Sequence, residues 1–293
     1  MSLLLLRALL GWIPWTRLAA FLAILLALSA DGLHGPALAA PHGALLLVGG
    51  GDIPASIADR FVALAGGRSR HFVYIPTAAV DEEIDPAALE RWFKTTFGVE
   101  HIVILHTRDR KIADSRAFAA PLDKADAVWF GGGRQWRIAD AYLGTRTEAA
   151  VRRLLSRGGV VGGTSAGASI LASYLVRGAP EGNWIISAPG HERGFGLLPH
   201  AAVDQHLDLY HRENDIEPLI RHHPALLGIG LDEATAIVVT GGSASVVGRG
   251  RVILHDGQSH CGLPYAVLRS GDSFVPGVPV SLPCRNLSHA SAK

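Results

Sequence analysis

Short apolar runs alternating with amphipathic helical stretches predict an α/β protein built on a mostly parallel sheet. Two further observations support this class. Glycine, serine and threonine cluster directly after the apolar runs, where open α/β sheets keep their sites. The last third changes to closely spaced β-type runs, which predicts a C-terminal antiparallel extension of the parallel core. With 293 residues, 48% of them hydrophobic and 18% charged, the chain can fill the core of one large domain.

Residues 1–39 stand apart from that core. Arg7 and Arg17 precede the apolar run Leu18–Leu28, and Ala37-Leu38-Ala39 offers a small-residue cleavage site. This pattern predicts a secretory signal peptide over 1–39 and a mature domain over 40–293, periplasmic or secreted. The competing reading is a retained membrane anchor, because Leu3–Ile13 lengthens the apolar segment. No later stretch is apolar over the length a span needs, so cleavage leaves no membrane contact.

The elements follow in order. Ala44–Val48 reads as a buried strand ending in Gly49-Gly50-Gly51, and Ile57–Ala65 has helical spacing. His71–Ile75 is a second strand, ending at Pro76-Thr77, and Pro86–Phe97 a second helix. His101–Leu105 and Ala127–Phe130 are further strands, the latter closed by Gly131-Gly132-Gly133. Trp136–Tyr142 and Thr147–Leu155 read as helices. Gly158–Gly162 is the strand before Ser165, and Ala166–Leu175 is compatible with a helix after it. Ala202–Asp204 and Gly228–Gly230 look like strand ends. Ala236–Val239, Ala244–Val247 and Val252–His255 are separated by Gly-rich turns, which suggests hairpins added to the same sheet. No linker divides the mature chain and no internal repeat is visible.

The chemistry centres on Gly163-Thr164-Ser165-Ala166-Gly167, a G-x-S-x-G match between a strand and a helix-compatible run. A serine on a tight strand-to-helix turn projects its hydroxyl clear of the backbone, and small neighbours leave room for the turn. The alternative is a passive serine in a Gly-rich βα turn. A serine hydroxyl needs a base within hydrogen-bond reach and a group that orients the base. Of the fourteen histidines, most lie in polar contexts such as Arg221-His222-His223-Pro224. His206 closes the run Asp204-Gln205-His206 at a strand end. Candidate acids are Asp204, Asp208, Asp232 and Glu233; Asp232 is equally suited to capping a turn. Gly131-Gly132-Gly133 exposes backbone N–H groups unobstructed by Cβ, which suits an oxyanion. Gln135 and Arg137 follow it, placed for a substrate carbonyl or carboxylate. Lys and Arg total 27 against 26 Asp and Glu, so no basic footprint for nucleic acid exists.

Taken together, Gly131-Gly132-Gly133-Arg134-Gln135, Gly163-Thr164-Ser165-Ala166-Gly167-Ala168, Asp204-Gln205-His206 and Gly228-Ile229-Gly230-Leu231-Asp232-Glu233 resemble the cyanophycinase family of serine peptidases, relatives of aspartyl dipeptidase (peptidase E). The opening strand with its glycines, Ile75-Pro76-Thr77-Ala78 and Thr235–Val239 fit as well, so the resemblance covers roughly residues 43–255. It implies a flavodoxin-like domain akin to class I glutamine amidotransferases. It implies Ser165 as nucleophile, His206 as general base and Glu233 as orienting acid. The oxyanion donors are then the N–H groups of Gly132, Gly133 and Ala166. Gln135, Thr164, Gln205 and Arg212 line the substrate site. It implies a homodimer acting on a small peptide or isopeptide, with no metal or cofactor. Three positions depart from the family pattern. Arg134 stands where an acid is usual, and Tyr210 and Asp215 stand where the family tends to carry arginine. These departures bear on substrate identity rather than on hydrolysis.

Two other functions compete. An α/β-hydrolase esterase would use Ser165, Asp232 and a late histidine such as His255. A periplasmic binding protein would keep the Gly-rich fold without turnover.

Cys261 and Cys284 are the two cysteines, and in an exported chain a pair is expected to be oxidised. A bond between them closes a loop of roughly two dozen residues, worth about 3 kcal/mol by chain entropy. Thiol titration of unfolded, unreduced protein should find no free thiol, and reduction should lower Tm more than it lowers kcat; two titratable thiols would refute the bond.

Overall fold

The structure is a computed structural model that describes residues 43–280. The expected leader and Cys284 lie outside the described residues. Four largely buried runs and one half-exposed edge run form the predicted parallel strands β1 (Ala44–Val48), β2 (His71–Ile75), β3 (His101–Ile104, the edge), β4 (Ala127–Phe130) and β5 (Val160–Thr164). They lie in the order β1-β5-β4-β2-β3. Beyond β1 the sheet continues antiparallel through β9 (Thr235–Thr240), β10 (Ser243–Gly248) and β13 (Ser273–Phe274). The β9–β10 hairpin turns on Gly241 and Gly242, at φ 56° and 83°. Positive φ at both central residues matches the twist of the flanking strands.

The helices cover this sheet. On one face, α1 (Ala55–Leu64) buries Ile57, Ala58, Phe61 and Val62 along one stripe. Beside it, α2 (Pro86–Phe97) starts where Asp85 accepts from the Ala87 and Ala88 amides, and stops at Gly98 with φ 65°. Phe61 meets Trp129 edge-on at 4.9 Å and Phe97 at 5.4 Å between ring centroids. Such pairs add about 0.5–1.5 kcal/mol beyond the area they bury. On the other face lie α3 (Arg110–Ala113), α4 (Arg116–Lys124), α5 (Gln135–Tyr142) and α6 (Arg146–Ser156). The sequence reading missed α3 and α4; Pro121 inside α4 and its largely polar surface hide the helical period.

The last third does more than extend one sheet. Among the described residues a second sheet runs in the order β12-β11-β8-β7-β6. Its strands are β6 (Ala172–Tyr174), β7 (Leu198–Gln205), β8 (Leu227–Leu231), β11 (Arg251–His255) and β12 (Ala266–Arg269). β6, β7 and β8 run parallel, while β11 and β12 join antiparallel. The expected hairpin between 244–247 and 252–255 is therefore corrected. The chain leaves the first sheet at Gly248, φ 111°, and enters the second. Gly248 and Gly250 permit the crossing, because a Cβ at either would strike Ala234 or Asp232.

The expected helix Ala166–Leu175 is also corrected. It lasts one turn, α7 (Ala166–Ser169), and gives way to β6. The carbonyls of Ile170, Leu171 and Ala172 accept from the amides of Phe195, Leu198 and Gly196 instead of continuing the helix. Among the described residues, the largest of three hydrophobic clusters joins residues of both sheets, including Phe130, Ala168, Leu171, Val203 and Leu231. No helix among the described residues is long and apolar enough to cross a membrane.

This topology sets out the site. Val48 pairs with Thr164 and Phe130 with Gly163, so three glycine-bearing turns leave neighbouring strands β1, β5 and β4 side by side. In the second sheet Gln205 pairs with Leu231. The chain therefore enters 206 and 232–233 from adjacent strand ends.

Candidate active site

Ser165 sits on the sharp turn between β5 and α7 with φ 54° and ψ −118°, a conformation that costs a non-glycine residue of order 1–3 kcal/mol. Its amide donates to Val48 O at 2.9 Å, which fastens the turn to β1. A Cβ on Gly163 would lie 2.2 Å from Gly167 O, and one on Gly167 would lie 2.1 Å from Phe130 O. Both glycines of the motif thus exist for close packing, as the sequence reading expected. Because α7 is one turn long, its dipole is slight, and oxyanion stabilisation falls to individual N–H groups. The Gly132 turn borders the hydroxyl: a Cβ there would lie 4.0 Å from Ser165 Oγ.

His206 and Glu233 complete a hydrogen-bonded chain. His206 Nε2 lies 2.8 Å from Ser165 Oγ, and Nδ1 lies 2.6 Å from Glu233 Oε1. With Nδ1 protonated, the imidazole donates to Glu233 and presents Nε2 to the hydroxyl as acceptor. The imidazole side chain is 20% exposed and the carboxylate 29%, so the chain opens to solvent on one side. His206 itself is left-handed, φ 58° and ψ 38°. Ala234, next to Glu233, has φ 52°. The Glu233 amide donates to Asp208 Oδ1 at 2.9 Å, which gives Asp208, one of the candidate acids, a supporting place.

The first glycine triplet holds this pair. Gly49 O accepts from the His206 amide and Gly50 O from the Ala234 amide, both at 2.9 Å. Gly49 N donates to Thr235 O at 2.9 Å. The His206 ring lies over Gly50, where a Cβ would fall 2.1 Å from Cε1. At Gly51 a Cβ would fall 2.8 Å from Glu233 Oε2. The sequence reading noted these glycines without giving them a role. Their position after a buried strand was the available signal.

The remaining expected residues fall in two groups. Thr164 and Gln205 directly precede Ser165 and His206. Thr164 Oγ1 and Gln205 Oε1 are buried and have no hydrogen-bond partner among the described residues. Gln135 is 1% exposed, and its Nε2 donates to Val176 O at 2.7 Å. Arg134 donates to Ala179 O, and Arg137 to Ala78 O at 3.0 Å. Arg134 and Gln135 thus tie the segment 176–179 to the start of α5.

Arg177, in that segment, was not foreseen; one basic residue after an apolar run carries no placing signal. Its side chain is 1% exposed and grips Asp204 through Nε–Oδ1 at 2.7 Å and Nη2–Oδ2 at 2.8 Å. It also donates to Asp215 Oδ2 at 2.7 Å and Asn183 O at 2.8 Å. Burial works against the Arg177 charge, but Asp204 and Asp215 outweigh it and raise its pKa. Asp204 Oδ1 in turn accepts from the Gln205 amide at 2.9 Å. Arg212 is 8% exposed, stacks 4.3 Å over the Tyr210 ring, and makes one long bond, 3.4 Å, to Gln205 O. Burial and then the Arg177 charge lower its pKa, with Asp204, Asp215 and Tyr210 pulling the other way. The Tyr210 ring in turn meets His206 edge-on at 5.8 Å.

The residues an esterase would need are engaged elsewhere. Asp232 Oδ2 accepts from Arg251 Nε at 2.8 Å, and Arg251 also reaches Glu213 at 2.9 Å. His255 is buried with Nε2 2.9 Å from Glu213 O.

Comparison with known proteins follows the same lines. Residues 45–247 match the profile of peptidase family S51. A cyanophycinase of Geminocystis herdmanii (strain PCC 6308) is 28% identical over 225 residues, spanning 73% of this chain and 81% of that protein. A cyanophycinase of Trichormus variabilis (strain ATCC 29413 / PCC 7937) is 30% identical over 220 residues, spanning 73% of each. The crystal structure of a peptidase from an acI-B1 Actinobacterium superposes with a TM-score of 0.64 at 25% identity, covering 81% of this chain and 98% of that one.

Gly50→Ala should push the His206 ring off Ser165. A displacement of about 1 Å at a reacting group costs on the order of 10²-fold in rate. Labelling of Ser165 by a fluorophosphonate should therefore slow by about that factor in a variant whose circular dichroism is unchanged. A wild-type labelling rate in folded Gly50→Ala would show that the triplet does not hold the base.

Proposed function

The chain belongs to peptidase family S51 and is a serine-type peptidase; we propose that it is an exported exopeptidase of the cyanophycinase type, cleaving peptide or isopeptide bonds through an acyl-enzyme on Ser165. The observation that carries this reading is the Ser165–His206–Glu233 chain, 2.8 Å and 2.6 Å long. The pattern of residues 1–39 supports export.

In the proposed mechanism His206 Nε2 takes the proton of Ser165 Oγ as the oxygen attacks the substrate carbonyl. Glu233 Oε1 accepts from Nδ1–H, keeps the ring in this tautomer and stabilises the imidazolium. The N–H groups of Ala166 and of the Gly132–Gly133 turn receive the oxyanion. Collapse of the tetrahedral intermediate transfers the proton from His206 to the leaving amine. Water then repeats the cycle on the acyl-enzyme, with His206 again as base. The order Ser, His, Glu along the chain differs from the order in α/β-hydrolases.

The substrate reading rests on Arg212. No carboxylate pairs with its guanidinium among the described residues, since the acid beside it, Asp215, is bound to Arg177. A buried guanidinium with donors to spare suits a carboxylate of the substrate. Arg134 is tethered to Ala179 O, so it adds little to this anchor. We therefore propose a preference for short peptides or isopeptides that carry an acidic residue, over bulk cyanophycin.

Ser165→Ala and His206→Ala should each lower kcat by about 10⁴-fold or more, and the double variant should be little worse, because triad members act as a unit. Glu233→Gln should cost less. Fluorophosphonate labelling should be confined to Ser165; an unreactive serine would favour a binding protein. On substrate, kcat/KM for short acidic peptides should exceed that for β-Asp-Arg oligomers, and Arg212→Ala should raise KM more than it lowers kcat. An advantage of about a thousandfold for the oligomers, some 4 kcal/mol in transition-state binding, would make this an ordinary cyanophycinase.

A further inference from the structure

Asp215 and Arg212 lie three residues apart on one turn, with the Asp215 amide 3.1 Å from Arg212 O. The Asp215 side chain is 41% exposed, so nothing on its solvent side prevents it from rotating. A carboxylate so placed, beside a guanidinium that makes no ion pair among the described residues, is a natural internal ligand for that guanidinium. It is instead drawn to Arg177, whose fork holds Asp204 with two bonds, Asp215 with a third and Asn183 O with a fourth. Arg177 and Asp204 are both 1% exposed in their side chains, so the fork is fixed from the core side.

We propose that Arg177 is a positioning residue for charge selection: by gripping Asp215 it keeps that carboxylate off Arg212 and leaves Arg212 open to a carboxylate of the substrate. This rests on the reading of Arg212 as the substrate anchor. An aspartate stands in this turn, yet it does not cancel the anchor. Freed from Arg177, Asp215 would compete with substrate from an effective concentration of about millimolar, as tethered groups do. The grip needs a planar fork with donors on two sides; an ammonium is a point charge and cannot hold Asp204 bidentately and reach Asp215 as well.

The test compares one short peptide substrate carrying Asp with the same peptide carrying Asn, and reads the ratio of the two KM values. That ratio is unaffected by a general loss of activity. Wild type and Asp215→Asn should show the same preference for the Asp peptide within about twofold. Arg177→Lys, which keeps a charge beside Asp204, should lose about tenfold of that preference through KM, and Arg177→Lys with Asp215→Asn should regain it. Equal losses on both peptides, or no rescue by the second substitution, would reduce Arg177 to a structural residue and overturn the proposal. A preference that rises about tenfold in Asp215→Asn alone would also overturn it, since Asp215 would then already occupy Arg212. That single variant keeps the proposal open to refutation even if Arg177→Lys does not fold. Arg212→Ala separates the two readings. If it leaves the preference intact, the anchor itself is wrong; if it abolishes the preference while Arg177→Lys retains it, only the grip is wrong.

Discussion

Two backbone carbonyls carry the geometry of this site. Gly49 O and Gly50 O leave the end of β1 and bind the amides of His206 and Ala234, which belong to the ends of β7 and β8. Val48 O, one residue earlier, binds the amide of Ser165. One short loop therefore sets Ser165, His206 and the neighbour of Glu233 in a common frame. The absence of side chains at Gly50 and Gly51 is what lets the imidazole and carboxylate lie against it. Since the frame is made of peptide groups within strand ends, it is rigid, and rigidity is what places a base at 2.8 Å from a hydroxyl.

Around that frame the charges are layered. Asp204 is fully buried, directly follows the strand residue Val203, and would be costly there alone. Arg177 neutralises it, and removing one partner of such a buried pair costs about 3–5 kcal/mol. The same guanidinium reaches outward to Asp215, so a core interaction extends to a half-exposed carboxylate. Arg134 and Gln135 hold the backbone of this segment from the opposite side. The polar residues around Ser165, His206 and Glu233 thus differ in how fully they are engaged: Arg177, Arg134 and Gln135 are tied down, while Arg212 makes one long bond to Gln205 O among the described residues.

Much of this was legible in the sequence. The five parallel strands, the helices at 57–65, 86–97, 136–142 and 147–155, and the glycine-flanked Ser165 all follow from local period and turn chemistry. His206 was legible because it directly follows the end of a buried run, whereas Glu233 was one of four candidate acids and was singled out only by the family resemblance. The second sheet was not, because pairing partners are chosen across long separations. Nothing local tells Val252–His255 to join Leu227–Leu231 rather than Ser243–Gly248. The one-turn α7 was misread for the same reason: Ala166–Leu175 is helix-compatible, and distant amides at 195–198 override that preference. Arg177 reaches Asp204, 27 residues on, and the Gly49–Gly51 loop makes contacts up to 186 residues away, which spacing cannot reveal.

The division of the triad between two sheets has a consequence for how the molecule comes into being. Ser165 ends a strand of the first sheet, while His206 and Glu233 follow strands of the second. The βα units of the first sheet are largely local and can assemble early in folding, whereas docking of the second brings together residues far apart in the chain. Until that docking is complete, the serine is an ordinary alcohol with no base beside it. The hydrogen-bonded chain from Ser165 through His206 to Glu233 therefore exists only where the two sheets meet, and any opening between them would part the hydroxyl from the imidazole.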